Sequence, residues 1–411
     1  MAGSQLLSQF RNLFPDYPAL EAREPLPPHQ YPTAFIALVL GYALGPGPVQ
    51  TSCITWLLLH LGLSRPCFTL GDTTLDYTTS SLFFVFWLWY VDHGVGRGGG
   101  PRYVGRLGRS LPERGVGRKD LKTWTEKLRW AVRLASSMRG VGWDWQVKNV
   151  PAHSDADIPR FRFVRDRVLE VLRRSVVKVL AVYTIGFCKT VQLSASSTLT
   201  ILLLDAIVSW CGVLWSWHTI GVSYAAGAAM TVFLGLCEPW EWPPIFGSLR
   251  DTWSVRQVWS TTYHQLMRRT LQQPGIRLAH LLRLKKGTLG SRYVQLYAAF
   301  FISCSIHWWQ SFSITRRDNG EYAFFMAQPV IITVEDFLRW IWRKSVDPRR
   351  KEKLTGLGYV VGYVWMVITF TVTLRPIMKG WTDIGLVGGG GLDEKAAMRL
   401  GRQHGAAYLA R

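Results

Sequence analysis

The feature that most constrains the fold of this chain is a series of apolar runs that alternate with polar, mostly basic segments. Several runs approach the length of about 20 residues that an α-helix needs to cross a bilayer. Because a helix satisfies its own backbone hydrogen bonds in lipid, the series predicts an all-α, polytopic integral membrane protein with about 8–9 transmembrane helices and interfacial amphipathic helices. The runs cover residues 32–44, 49–63, 80–91, 176–191, 197–217, 220–236, 293–309, 322–342 and 357–374.

The charge pattern agrees with this interpretation. The 411-residue chain has 48 lysines and arginines against 27 acidic residues, and most of the basic residues lie between the apolar runs. Cytosolic loops of membrane proteins carry such an excess of positive charge. Nucleic-acid binding is a weaker explanation, because the sequence has no zinc-finger, RNA-binding or helix-turn-helix motif. The six cysteines are scattered without a CxxC pair, so neither a metal site nor a disulfide framework is predicted.

These patterns divide the chain into five segments. The first is polar and has no pattern of a cleavable signal peptide. The segments are a polar N-terminal segment (1–31), N-terminal membrane helices (32–91), a basic insert (92–175), a membrane domain that carries the candidate site (176–374) and a polar C-terminal tail (375–411).

Within the insert, the excess of positive charge predicts a cytosolic location. A Gly- and Arg-rich stretch at 94–109 predicts a flexible basic linker. Apolar residues at helical spacing in 121–137 predict an amphipathic helix that lies on the membrane surface. In the C-terminal tail, residues 393–402 predict a short helix.

Two ionisable residues lie inside apolar runs. His307 has a side chain that can accept a proton near neutral pH, so it is a candidate general base. The alternative is a structural histidine that bonds to a neighbouring helix. Asp205 is expensive to place in a membrane, and it is either functional or hydrogen-bonded to another helix. The sequence leaves both alternatives open.

A basic, aromatic segment follows residue 242 and contains His264. Its guanidinium groups could bind the phosphates of a lipid head group or of coenzyme A. The alternative is a helix that anchors to anionic lipid. The predicted binding residues are Arg256, Arg268, Arg269, Trp259 and Tyr263.

Two weaker motifs point to other chemistry. Residues 153–157 match the HxxxD pattern of soluble acyltransferases, but the stretch lacks the Gly that follows the Asp and lies in a polar loop. Asp72 and Asp76 are a weak indication of Mg²⁺–diphosphate binding, without a second acidic cluster to support it.

Three stretches together resemble a known family. Residues 242–248 read W-P-P-I-F-G-S and 263–265 read Y-H-Q. They resemble the W-P-P-x-F-G-S and W-H-Q motifs of the wax-synthase-like membrane acyltransferases, a branch related to the membrane-bound O-acyltransferases. Residues 301–307, F-I-S-C-S-I-H, look like the family helix that carries a histidine. Residues 139–145, R-G-V-G-W-D-W, resemble the R-G-x-G-W-N-W element of fungal members.

The chain departs from the family pattern at several positions. Asp144 stands where asparagine is usual, and Cys304 and Ser305 alter the small residues before His307. Val258, Ser260 and Thr261 replace the F, G and R around the motif tryptophan. These changes bear on the substrate more than on the fold.

The resemblance implies transfer of an acyl group from acyl-CoA to an alcohol, in the membrane of the endoplasmic reticulum. It implies that His307 is the general base and that His264 orients the thioester or stabilises the oxyanion. By analogy with fungal relatives, acetyl-CoA is the expected donor and a terpenoid or meroterpenoid alcohol the expected acceptor. A fatty-alcohol (wax ester) acyltransferase is an alternative. From other classes, a proton-coupled transporter that uses His307 and Asp205 and a membrane prenyltransferase are also considered.

Overall fold

The computed structural model describes residues 16–95, 100–106, 115–151, 157–346 and 355–410. These residues are mostly helical and confirm the predicted all-α class. Their α-helices of eight or more residues are α1 (Gln30–Leu44), α2 (Pro48–Ser64), α3 (Thr73–Ser80), α4 (Leu82–Trp89), α5 (Trp124–Ala135), α6 (Arg160–Leu193), α7 (Thr198–Phe233), α8 (Arg268–Leu281), α9 (Leu289–Thr315), α10 (Glu321–Ser345), α11 (Thr355–Asp383) and α12 (Gly391–Leu409).

Two short strand pairs accompany the helices. Strand β1 (Glu24–Pro25) pairs in parallel with β2 (Phe68–Thr69). Strand β3 (Arg102–Tyr103) pairs antiparallel with β4 (Val116–Gly117). The linker predicted at 94–109 therefore contains β3, because residues farther along the chain supply its backbone partners. Residues 96–99 and 107–109 of that linker, and residues 153–156 of the HxxxD stretch, lie outside the described residues.

The number of membrane-spanning helices differs from the expectation. Among the described residues, three helices are long and apolar enough to cross a membrane, namely α6, α7 and residues Gly356–Asp383 of α11. The predicted count of eight or nine is not confirmed. One reason lies in α7, where the runs 197–217 and 220–236 form one continuous helix. His218 and Thr219 separate the two runs, and neither residue breaks a helix.

Helix α6 begins well before the apolar run that predicted it. It starts at Arg160, so the boundary predicted at residue 175 falls inside the helix. Helix α12 packs on it and is longer than the expected helix at 393–402. The approach is close, since a Cβ atom on Gly401 would lie 2.1 Å from the carbonyl oxygen of Tyr183. The C-terminal tail is therefore a docked part of the fold.

The predicted amphipathic helix is present as α5, but its apolar face is covered by protein. Trp130, Ala131 and Leu134 are buried together with Leu38 of α1 in one apolar cluster. The prediction that this face lies on the membrane surface is thus wrong. Helical spacing identifies an apolar face, whereas the surface that covers it depends on tertiary packing.

Candidate functional site

His307 lies on α9 within the larger apolar core. Its Nδ1 atom is 3.2 Å from the hydroxyl oxygen of Tyr77. Its ring stacks on Phe325 with centroids 4.5 Å apart and an interplanar angle of 11°. The ring of Trp381 lies 6.3 Å away. His307 keeps part of its surface accessible, so its position is fixed on two sides while the remaining edge can meet a ligand.

Tyr77 is a site residue that sequence reasoning missed. It lies on α3, is 4% exposed and is separated from His307 by 230 residues. Its ring meets that of Trp381 edge to face at 5.5 Å. No motif marks this tyrosine, and the fold alone brings it to the histidine.

A buried ion network holds α3 in place next to Tyr77. Asp76 accepts hydrogen bonds from Arg65 at 2.8 Å, from Thr69 at 2.6 Å and from the Leu70 amide at 2.7 Å. Arg23 adds an ion pair at 3.2 Å. Burial would raise the pKa of Asp76, but these hydrogen bonds and the Arg65 charge hold that pKa below its usual value.

The two carboxylates at 72 and 76 therefore have structural partners. Asp76 is held by cations, and Asp72 caps α3 by accepting from the Leu75 amide at 2.9 Å. Among the described residues, no group of three or more His, Cys, Asp or Glu side chains could hold a metal ion. The weak indication of Mg²⁺–diphosphate binding finds no support in this geometry.

His264 lies in the segment between the π-helical turn Val258–Thr262 and α8. Its ring is 4.5 Å from that of Tyr263. Its Nδ1 atom is buried and has no hydrogen-bond partner among the described residues. Burial, and then the nearby His307 and Arg139, lower the pKa of His264 to about 3, so its imidazole is neutral near pH 7. The ring of Tyr263 lies 5.5 Å from that of Trp259, which packs against the apolar cluster that contains Phe325, the residue on which His307 stacks.

The segment before His264 is held by α10. Glu335 accepts from the backbone amides of Val255 at 2.7 Å and Arg256 at 3.2 Å. Trp259 donates from Nε1 to the Oε1 atom of Gln328 at 3.1 Å. Trp259 thus lies against the core as a positioning side chain, and both anchors come from polar residues of a mostly apolar helix.

Arg139 joins the fungal-type R-G-V-G-W-D-W stretch to the W-P-P stretch. It is 4% exposed and donates to the carbonyl oxygens of Pro243 and Pro244, each at 2.7 Å. It also donates to the hydroxyl of Tyr224 on α7. The two motifs, which are far apart in sequence, therefore form one unit.

The three arginines predicted to bind phosphate have intramolecular partners. Arg256 makes a two-pronged ion pair with Asp336 at 3.1 and 2.5 Å. Arg269 pairs with the buried Asp92 at 2.5 Å. Arg268 donates to the carbonyl oxygen of Ser260 at 2.6 Å. Their role in binding a donor stays a prediction.

Asp205 also has structural partners. Its carboxylate accepts from Gln192 at 2.7 Å and pairs with Arg375 at 2.5 Å. This arrangement favours the structural alternative, in which the carboxylate ties α7 to α6 and α11.

The fold and the site together define a class of protein. The chain has long apolar helices, a partly accessible histidine that is held by a tyrosine, and a second, neutral histidine. Such a site can move a proton and donate a hydrogen bond in a largely apolar surrounding, as acyl transfer to a hydroxyl group requires. The long apolar helices therefore define the class of the chain as a membrane-associated helical protein.

Comparisons with known proteins specify the family. Residues 242–327 match the model of the membrane bound O-acyl transferase family, and this region contains both histidines. The chain is 30% identical to acetyltransferase ple2 of Rhodocybe pseudopiperita over 382 residues, which cover 92% of this chain and 94% of that protein. The protein belongs to the membrane bound O-acyl transferase family.

Two further relatives show the breadth of this similarity. Acetyltransferase sirH of Leptosphaeria maculans is 30% identical over 272 residues, which cover 64% of this chain and 66% of that protein. O-Mevalon transferase yanI of Aspergillus niger is 28% identical over 330 residues, which cover 69% of this chain and 72% of that protein. The predicted resemblance is confirmed, and this chain is an O-acyltransferase of the family.

Proposed function

We propose that this protein is an acyl-CoA-dependent O-acyltransferase that esterifies a hydroxyl group of a hydrophobic acceptor. Acetyl-CoA is the favoured donor and acts as a co-substrate. The favoured acceptor is a terpenoid or meroterpenoid intermediate of fungal secondary metabolism, and the membrane is that of the endoplasmic reticulum. The observation that carries the proposal is the position of His307, which lies between Tyr77 and Phe325 inside the region that matches the family.

The geometry of His307 suits a general base. When its Nδ1–H donates to the Tyr77 hydroxyl, Nε2 keeps a free lone pair. Nε2 then takes the proton of the acceptor hydroxyl while that oxygen attacks the thioester carbonyl carbon. The C–S bond of the tetrahedral intermediate breaks, the imidazolium returns its proton to the sulfur, and coenzyme A leaves as the thiol. No covalent acyl-enzyme is required.

His264 supplies the second polar group. Its neutral ring and its buried Nδ1 atom without a partner allow it to donate a hydrogen bond to the oxyanion of the intermediate. One such donor contributes about 3 kcal/mol to the transition state in known sites.

The names of the relatives support acyl transfer in fungal metabolism, and they span acetyltransferases and O-mevalon transferases. The transferred acyl group therefore differs between relatives. A fatty-alcohol acyltransferase is the alternative function for this chain. An apolar acceptor would partition into the bilayer, which suits a site among apolar helices. The transporter hypothesis requires a proton relay that uses His307 and Asp205. It is not favoured, because the contacts of Asp205 run to Gln192 and Arg375.

The donor and acceptor can be tested in microsomes that contain the wild-type protein. We would supply radiolabelled acetyl-CoA with a panel of terpenoid and fatty alcohols, and identify labelled esters by chromatography. A labelled terpenoid ester is expected. A fatty ester with a long-chain donor would move the protein to the alternative function, and no ester with any donor, from folded protein, would contradict the proposal.

A conservative change at Tyr77 tests the orientation of His307. Tyr77→Phe removes the hydroxyl that fixes Nδ1, so we expect kcat to fall about tenfold while KM for the donor stays the same, as loss of one hydrogen bond implies. Steady-state kinetics measure this difference. The matched control is Tyr183→Phe, which removes a similar bond to His404 outside the site. Equal kcat values for Tyr77→Phe and the wild type would contradict the role of Tyr77.

A further inference from the structure

Three arginines lie where α6 and α7 pack together. Arg167 and Arg174 both pair with Glu170, at 2.5 and 2.7 Å. Their side chains are only 13% and 12% exposed. The carboxylate of Glu170 is therefore shared by two guanidinium groups that are largely removed from water.

Arg139 adds a third buried cation to this cluster. Its hydrogen bonds run to two carbonyl oxygens and the Tyr224 hydroxyl, and no carboxylate among the described residues pairs with it. Tyr224 lies three residues after Gly221 on α7, where the side chain of Arg174 crosses the helix, so Arg139 and Arg174 approach the same face of α7. An uncompensated buried charge is costly, and an anionic ligand would offset that cost.

Polar groups without partners lie in the same place. The Nδ1 atom of His218 and the Oγ1 atom of Thr219 are buried and have no hydrogen-bond partner among the described residues. His218 lies three residues before Gly221, on the same face of α7. Arg174 crosses α7 at Gly221, where an added Cβ would lie 2.7 Å from its guanidinium nitrogen. Unsatisfied buried groups are rare in native proteins, and a ligand with several acceptor oxygens would satisfy them.

An aromatic path leads from this cluster to the histidines. The guanidinium of Arg174 lies 5.7 Å from the ring of Phe246, which stacks on Trp217 at 3.7 Å. The ring of Tyr263 is 6.0 Å from Phe246 and 4.5 Å from His264. A pantetheine arm extends over roughly 15 Å, because it is about as long as four extended residues. An arm of this length would allow one ligand to have its charged end at Arg174 and its thioester at the histidines.

We propose that the phosphate groups of the coenzyme A donor bind between α6 and α7, at Arg174 and His218, within the positive field of Arg139 and Arg167. This inference rests on the proposed function, since it assigns a place to the donor of that reaction. It differs from the prediction made from sequence. Arg256 and Arg269 have their own carboxylates, whereas Arg174 shares Glu170 with Arg167, and Arg139 pairs with no carboxylate among the described residues.

The experiment measures equilibrium binding of coenzyme A to purified protein in neutral phosphatidylcholine nanodiscs by calorimetry, with pantetheine as the phosphate-free probe. Arg174→Gln is expected to weaken coenzyme A binding about tenfold or more and to leave pantetheine binding unchanged. Gly221→Ala keeps every charge but displaces the guanidinium, and it is expected to weaken coenzyme A binding as well. Alanine is a good helix former, so this variant leaves α7 intact.

Controls separate the possible results. Arg162→Gln removes a 63% exposed charge from the same helix and should change nothing. If the wild type binds no coenzyme A, the proposed donor fails together with this inference. If the wild type binds it and Arg174→Gln binds equally well, only the inference fails. Weaker binding in Arg256→Gln alone would assign the phosphates to the segment around Arg256 and overturn the inference.

One further result would assign the cluster to lipid. Equal coenzyme A affinity in the wild type and Arg174→Gln, with weaker retention of phosphatidylglycerol by the variant, would identify a lipid head group as the ligand and overturn the inference.

Discussion

Replacing His307 by alanine is expected to lower ester formation by roughly a thousandfold, while the protein still inserts into membranes. The reason is that the variant loses the group that takes the proton from the acceptor hydroxyl, and general base catalysis contributes about 10²–10⁴-fold. The ring packs on Phe325 and meets Tyr77 at one edge, so its loss leaves the surrounding helices in contact. The measurement is the rate of labelled ester formation in microsomes with equal amounts of wild-type and variant protein.

The chain offers a matched control for this change. His404 also pairs through Nδ1 with a tyrosine hydroxyl, that of Tyr183 at 2.7 Å, but it lies exposed on α12. His404→Ala should keep the wild-type rate. Full activity of His307→Ala would remove this histidine from the mechanism, and equal losses in both variants would indicate a structural effect.

The largest expected effect on stability comes from Asp76→Ala. This change leaves the guanidinium of Arg65, which is 0% exposed, without its carboxylate partner. Removing one partner of a buried ion pair lowers the free energy of unfolding by about 3–5 kcal/mol. We expect a lower midpoint of thermal unfolding in detergent, together with lower activity, because α3 also carries Tyr77.

Asp72→Ala is the control on the same helix. Asp72 caps α3 through one hydrogen bond to the Leu75 amide, and loss of such a cap costs about 1 kcal/mol. The variant should therefore shift the unfolding midpoint much less than Asp76→Ala. Equal shifts in the two variants would contradict a stabilising role for the buried network around Asp76.

The site was predictable only in part. His307 and His264 stand out in the sequence, the first because it lies in an apolar run and both because they match family motifs. Tyr77 does not stand out, since it lies 230 residues from His307 and belongs to no motif. Contacts between distant residues depend on how the helices pack, and local spacing contains no information about that packing.

The arginines show the same limit of prediction from sequence. The sequence shows Arg256, Arg268 and Arg269 near the aromatic motif, but it could not show that Asp336 and Asp92 neutralise two of them. Conversely, Arg139 and Arg174 attracted no attention as binding residues. The net charge of a site depends on which carboxylates the fold brings to it, and these come from other helices.

By itself the sequence determined the helical class and the family and marked the two histidines as candidates, because these follow from apolar runs and from motifs of adjacent residues. The tertiary structure decided which faces are covered and which charges are paired. It merged two apolar runs into α7, buried the face of α5 against α1 and placed Tyr77 on His307. The physical reason is that backbone hydrogen bonds within a helix are local, whereas burial and ion pairing require partners from elsewhere in the chain.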